Sequence, residues 1–334
     1  MYGAADFMPA ILADPDDDVP RLIYADWLED RGDPYGAFIR VQCELADRNT
    51  PFLRREELEQ QERALLAAHG AAWAAPLHGW VNHWKYRRGF PDELLLTAKA
   101  FVAHAHTVAQ VAPASSLRLL FAGPHLRRVL ECPALRAVRR LDLSDNYLGV
   151  EGARALAEAQ HLTALRELDL GLTGMDAAAV EILAQSLILS RVTWLRLAGR
   201  AGAPRDLRAN NVAFALTGSP HLAQLGTVDL RHCHLTSPGA ALLMTSRHLP
   251  NLHTLWLEGN YIDDEALLVV ARSPQLGRLR VLGLGGNQIT DIGIQALVES
   301  PHFTQLKRVT VTGNGVSLEL LDALRARFGD KVRW

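Results

Sequence analysis

The chain has 334 residues, with 35 Lys and Arg against 37 Asp and Glu, a formal net charge of −2 and 49% hydrophobic residues. This near-neutral, ordinary composition excludes a chain built around a nucleic-acid or membrane-surface partner. Three cysteines (Cys43, Cys132, Cys233) are too few and too scattered for a disulfide framework.

The opening MYGAADFMPAILADPDDD lacks the basic-then-apolar order of a secretion signal. The best apolar stretch, Leu94–Ala112, is broken by Lys99, His104 and His106, short of the roughly 20 residues a membrane span needs. A cytoplasmic location follows as the expectation.

Residues 1–60 carry fourteen Asp and Glu against six Arg. The pattern predicts short helices: Asp6–Leu12, ended by Asp14-Pro15; one capped by Asp18 with Pro20 in its first turn, running through Leu28 to Gly32; Tyr35–Leu45 after Asp33-Pro34; and Arg54–His69. Asp16–Asp18, Asp26, Asp30 and Asp33 cluster with Arg21, Arg31 and Arg40 around Tyr24 and Trp27. Helix caps, Arg–Asp pairs and a small aromatic core account for that set. A docking or cation site is the alternative, and the ligand order and glycine of an EF-hand are missing from it.

The run DPDDDVPRLIYADWLEDRGDPYGAFIRVQCEL resembles the repeat-companion domain, a short bacterial module found ahead of leucine-rich and other repeats. The matching positions are Asp17, Asp18, Arg21-Leu22, Tyr24-Ala25-Asp26-Trp27-Leu28-Glu29, Arg31-Gly32-Asp33, Phe38-Ile39-Arg40 and Gln42, covering about residues 5–46. The resemblance implies repeats downstream and no particular chemistry. WKYRRGFPDELLL looks like the junction before such repeats, and Trp73, Trp80 and Trp84 make 69–89 too aromatic for a loose linker.

Glu93–Leu96 and Leu117–Leu120 read as divergent strand starts on either side of a helix, Ala98–Val111. From Leu141 a pattern of apolar-x-apolar-x-x-(Asn/Cys/Thr)-x-apolar recurs at Leu168, Leu195, Val228, Leu255, Leu282 and Val309. The interval is 27 residues everywhere except the step from Leu195 to Val228, which is 33. Alternation around each anchor predicts a short strand, and the following apolar spacing predicts a helix, for example Glu151–Ala159. Asn146, Asn260, Asn287 and Asn314, with Thr173 and Cys233 as substitutes, stand where a buried turn needs a side chain to satisfy it. Gly152, Gly239, Ala266 and Gly293 are the small residues expected to let each helix lie close to the strand layer. Leu318–Phe328, Gly329 and Lys331–Trp334 read as a closing helix, stop and strand.

This pattern resembles leucine-rich repeats of the ribonuclease-inhibitor-like class. The fold class is therefore α/β: a right-handed solenoid, a horseshoe with parallel strands inside and helices outside, preceded by a small helical module. The expected domains are 1–90, the module and junction, and 91–334, the repeats. Within the latter, 91–134 holds divergent units, 135–316 regular units and 317–334 the cap.

None of the motifs G-x-S-x-G, H-E-x-x-H or G-x-x-x-x-G-K occurs. Gly283-Leu284-Gly285-Gly286-Asn287 imitates a nucleotide loop but falls in repeat phase. His232-Cys233-His234 invites a metal reading that alternating strand faces oppose. His104 and His106 stand two apart on a helix, and His161, His221 and His302 recur at equivalent turns. No catalytic residue, cofactor or metal is expected.

The strand face carries more information. Its departures from the repeat consensus are Trp194, Arg196, Arg231, Trp256 and Glu258, two exposed tryptophans among paired charges, which is the composition of an interface hot spot; Asp229 completes the candidate binding set. The 33-residue interval adds a loop, GRAGAPRDLRAN, with Arg200, Arg205 and Arg208 projecting beside that face. These residues point to a non-catalytic scaffold for a protein partner, monomeric and without nucleic-acid or membrane binding. A regulator of an enzyme (nuclease-inhibitor-like or small-GTPase-activator-like) is the alternative, and a cysteine-dependent transferase the remote one.

Overall fold

The computed structural model describes residues 6–14, 16–202, 210–329 and 332–333. It divides into two compact units, Met1–Asp142 with His161–Ala164, and Leu143–Gln160 with Leu165–Trp334.

The first unit begins with four helices, α1 (Met8–Ala13), α2 (Val19–Glu29), α3 (Tyr35–Ala46) and α4 (Phe52–Trp73). Ile11, Tyr24, Ala25, Leu28, Ile39, Cys43 and Phe90 form their shared core, with Trp27 and Tyr35 against it. The acidic and basic side chains pair across helices: Arg40 contacts Asp26 and Glu29, the latter at 3.0 Å, and Arg88 contacts Asp18. Arg31 lies over the Trp27 ring at 3.9 Å. Asp18 occupies the N-cap of α2, its backbone oxygen accepting from Leu22 N at 2.8 Å but its side chain making no cap bond; Asp17 Oδ1 accepts from Val19 N at 2.9 Å instead. Asp18 thus stands at the cap position expected of it, with its carboxylate turned to Arg88 instead of to the helix.

A hairpin follows, β1 (Val81–Arg87) antiparallel to β2 (Phe90–Thr97), closed by Arg88 and Gly89, both with positive φ (52° and 89°). That is the backbone of a two-residue turn whose twist suits a hairpin. After α5 (Ala98–Val111), β3 (Ser116–Leu120) pairs parallel to β2; α6 (Leu126–Leu130) then leads to β4 (Arg140–Asp142), parallel to β3. Trp73 packs on Tyr35 and Phe38, each at 4.9 Å, and Trp80 stacks on His104 at 4.5 Å, so the aromatic junction is packed as expected.

The second unit alternates α7 (Gly149–Ala157), β5 (Glu167–Asp169), α8 (Ala177–Ala184), β6 (Trp194–Arg196), α9 (Asn210–Thr217), β7 (Thr227–Asp229), α10 (Ser237–Thr245) and β8 (Thr254–Trp256). It continues through α11 (Asp264–Val270), β9 (Val281–Gly283), α12 (Asp291–Glu299), β10 (Arg308–Thr310), α13 (Leu318–Phe328) and β11 (Val332–Arg333). Strands β5 to β11 pair in parallel, each with the next, and the anchors align: Leu168 with Leu195, Leu195 with Val228, Val228 with Leu255. The six extra residues before β7 leave that register intact.

The Asn positions knit neighbouring turns together. Asn260 Nδ2 donates to Leu230 O (2.9 Å) and Leu257 O (2.8 Å), while its Oδ1 accepts from Cys233 N and Leu235 N at 3.0 Å. Thr173 donates to Leu170 O at 2.6 Å, and the Cys233 thiol to Leu197 O at 3.3 Å, each doing a smaller version of this work. Two of the small residues also make room for the neighbouring helix. A Cβ at Gly239 would meet Asn210 Oδ1 at 2.4 Å, and one at Gly293 would meet Asp264 Oδ1 at 2.4 Å. The crowding group at these two positions is a side chain at the start of the preceding helix.

Candidate functional site

Register aligns three rows of strand-face positions in the second unit. The middle row runs Asp169, Arg196, Asp229, Trp256, Gly283 and Thr310 across β5 to β10. Adjacent strands lie about 4.8 Å apart, so unlike charges in one row fall within pairing distance.

They do pair. Arg196 Nη1 donates to Asp169 Oδ2 at 3.1 Å. Its Nε approaches Asp229 Oδ2 at 3.3 Å as an ion pair, without the alignment of a hydrogen bond. Arg231 grips the same carboxylate from two residues further on, just past the end of β7, Nε to Oδ1 at 2.9 Å and Nη2 to Oδ2 at 2.6 Å, with its backbone N–H to Oδ1 at 3.1 Å. Asp169 and Asp229 are buried, 3% and 2% exposed, whereas the arginine side chains keep 31% and 42% of their surface. The Asp229 carboxylate overrides burial to hold the Arg231 guanidinium above its ordinary range, with Glu258 and Asp169 adding to the effect.

Glu258 leans the other way. Its carboxylate lies over Gly283, where a Cβ would sit 2.2 Å from Oε1, and Thr310 Oγ1 donates to Oε1 at 2.9 Å. Its Oε2 is buried with no hydrogen-bond partner among the described residues. Trp194 precedes Arg196 on β6 and Trp256 is the register partner of Asp229, and both are half-buried rather than the exposed tryptophans expected from sequence. The structure therefore brings Trp194, Arg196, Asp229, Arg231, Trp256 and Glu258 onto one strand face. Arg200 is exposed beyond β6, and Arg205 and Arg208 lie outside the described residues.

Asp169, the buried counter-ion of Arg196, is not among the residues the sequence singles out. The signal was available: reading the middle row through the 27- and 33-residue steps gives the alternation Asp, Arg, Asp.

The other candidates do not converge. His232 and His234 both have positive φ (56° and 60°); the first crowds Gly259 and the second stacks on Tyr261 at 5.8 Å. Among the described residues, no group of three His, Cys, Asp or Glu is placed to hold a metal ion. Burial pushes the Cys43 and Cys233 thiols up to about 12 and raises that of Cys132, the direction opposite to a nucleophile's need. No helix among the described residues is long and apolar enough to cross a membrane.

Two stretches, 135–157 and 279–298, match the leucine-rich repeat family model. The chain carries leucine-rich repeats, and its second unit is a leucine-rich-repeat solenoid. No curated protein matches it. Among solved structures it is similar to a chain of the Rad7–Elc1 complex of yeast, at 16% identity over 71% of this chain and 68% of that one, with a TM-score of 0.43. It is also similar to the internalin InlF of Listeria monocytogenes, at 17% identity over 70% and 69% of the two chains, with a TM-score of 0.37.

Proposed function

We propose that this chain is a non-catalytic scaffold that binds a protein partner on the strand face of its second unit. Trp194, Arg196, Asp229, Arg231, Trp256 and Glu258 form the centre, with Arg200, Arg205 and Arg208 beside it. One observation carries the reading: two guanidinium groups are fixed by buried carboxylates on the same strand face as two half-buried tryptophans. Arginines held this way lose little rotamer freedom on binding, and Trp and Arg supply most interface energy.

Three unpaired thiols, all shifted away from the thiolate, support a cytoplasmic, non-catalytic role. The regular 27-residue step with a helix in each unit supports the ribonuclease-inhibitor-like class, and residues 5–46 are assigned to a repeat-companion module. The scaffold acts as a monomer, and the regulation of a nuclease or small GTPase is one use such binding would serve.

Affinity capture from native extract tests this, comparing the intact chain with the Trp194→Ala, Arg231→Ala, Trp256→Ala variant after circular dichroism has confirmed its fold. A protein retained by the first and lost from the folded variant supports the reading. Identical captures overturn it.

A further inference from the structure

The first unit holds a cleft that the strand-face reading does not use. Its volume is about 660 Å³, within the range of small-molecule sites, and α1, α2, α3, α4, β2 and the end of α5 all contribute to its walls. Tyr24, Tyr35, Trp73, Phe90 and Leu77 are among the lining residues, and no charged side chain lines it. The aromatic walls brace one another: Tyr35 meets Trp73 at 4.9 Å and Phe90 edge-on at 6.1 Å, and Tyr24 stacks on Phe90 at 6.1 Å. The Tyr35 hydroxyl donates to Gly89 O at 2.6 Å, which fixes that wall to the hairpin turn.

Two polar groups in this wall are left over. Tyr24 is only 7% exposed, yet its hydroxyl makes no hydrogen bond among the described residues; neither does the indole N–H of Trp73. Neither group is among the buried polar atoms sealed from solvent, so each donor is open to water and to an acceptor carried by a molecule in the cleft. The deepest residues, Leu77 at 1% and Phe90 at 3% exposure, are touched only by a molecule that inserts.

We propose that this cleft is a binding site for an uncharged, flat, mostly apolar small molecule bearing a hydrogen-bond acceptor for Tyr24. A charged ligand would shed its hydration there and find no counter-charge. Stacking on Tyr35 and Trp73 supplies the contact area, and Tyr24 sets the orientation. The site makes the first unit a ligand-responsive module, independent of what the repeats bind.

The probe for the test is prodan, an uncharged naphthalene ketone whose emission shifts blue in apolar surroundings, titrated into the full chain. Saturable one-site binding with a Kd of about micromolar order is expected. Tyr24→Phe keeps the ring and removes the hydroxyl, so affinity falls about fivefold, the worth of one neutral hydrogen bond. Ala109→Trp, on the half-exposed end of α5 that lines the cleft, abolishes binding with the melting temperature preserved; Gln110→Trp serves if that variant does not fold. Non-saturable binding, or binding unchanged in the folded Trp variant, overturns the proposal. So does equal affinity for the anionic anilinonaphthalene sulfonate. Displacement of prodan by an uncharged proline-rich peptide at the same concentration would reassign the cleft to a peptide.

Discussion

Replacing Asp229 with Asn is the sharpest test of the charge ladder, because it removes one charge while keeping the shape. The Asp229 carboxylate is 2% exposed and serves three donors of Arg231 as well as the Arg196 contact at 3.3 Å. An Asn Oδ1 can still accept from the backbone N–H of Arg231, but its amide N–H₂ faces guanidinium donors. Breaking a fully buried pair costs about 3–5 kcal/mol, and a single charge-assisted hydrogen bond is worth about 1.5–3 kcal/mol. Arg231 and Arg196 keep 42% and 31% of their side-chain surface in water, which restores part of the loss. The net expectation is about 2–3 kcal/mol, or a fall in melting temperature of about 4–12 °C for a unit of this size. Thermal and urea unfolding read it directly. In an Asp229→Asn, Arg231→Met double-mutant cycle, the coupling should recover about 1 kcal/mol or more of that cost. A destabilisation below about 0.5 kcal/mol with no coupling would show that water already screens the ladder, and the argument that Arg196 and Arg231 are pre-organised would fall with it.

Asn260→Ala strips four hydrogen bonds from the buried turns of two adjacent repeats, and should cost about 2–4 kcal/mol by urea unfolding; the loss should be matched by faster amide exchange at Cys233 and Leu235. Gly199→Ala puts a Cβ 2.1 Å from the His232 backbone oxygen, whereas Gly283→Ala puts one 2.2 Å from the far end of the Glu258 side chain, which can rotate aside. The first should destabilise by about 2 kcal/mol or more and the second by under about 1 kcal/mol; equal melting temperatures would refute the distinction. Burial raises the Cys43 and Cys233 thiols to about 12, above an unfolded value near 8.5, so their stabilising share is complete below about pH 8.5 and disappears as pH climbs towards 12. Stability in urea should fall across that alkaline window. Iodoacetamide labelling of the two at pH 8 should be far slower than in the urea-unfolded chain, and equal rates would contradict the burial argument.

The repeat was legible because one physical demand recurs in every unit. A strand with one buried side and a turn whose carbonyls need a donor force the same spacing on Leu168, Leu255 and Leu282, and the same Asn on 260, 287 and 314. The helices Ala98–Val111 and Leu318–Phe328 were likewise set by local signals, Thr97 accepting from Ala100 N at one start and Gly329 at φ 80° at the other's end. Strand β1 was not legible. Its hairpin closes on Arg88-Gly89, and an arginine at φ 52° carries none of the sequence signal that Asn-Gly or Asp-Gly would. Arg88 is held in that conformation with its guanidinium on Asp18, seventy residues upstream, so the reason for the turn lies in tertiary structure.

The same distinction separates the two candidate sites. On the strand face, every contributing residue sits at a fixed offset from an anchor, so sequence phase places it and register decides its neighbours. What phase could not supply was the direction each charged side chain takes. Arg196 bridges Asp169 and Asp229, but Glu258 turns away from Arg231 towards Thr310 because Gly283 leaves room beneath it. A larger residue at 283 would push Glu258 back towards Arg231 and extend the ladder by one carboxylate. The absence of a side chain on β9 therefore fixes where the ladder stops. In the aromatic cleft, by contrast, Tyr24, Tyr35, Trp73 and Phe90 come from two helices, a helix end and a strand with no common period. Each packs as core would, and only the open volume of about 660 Å³ that they line separates a wall from a filled interior.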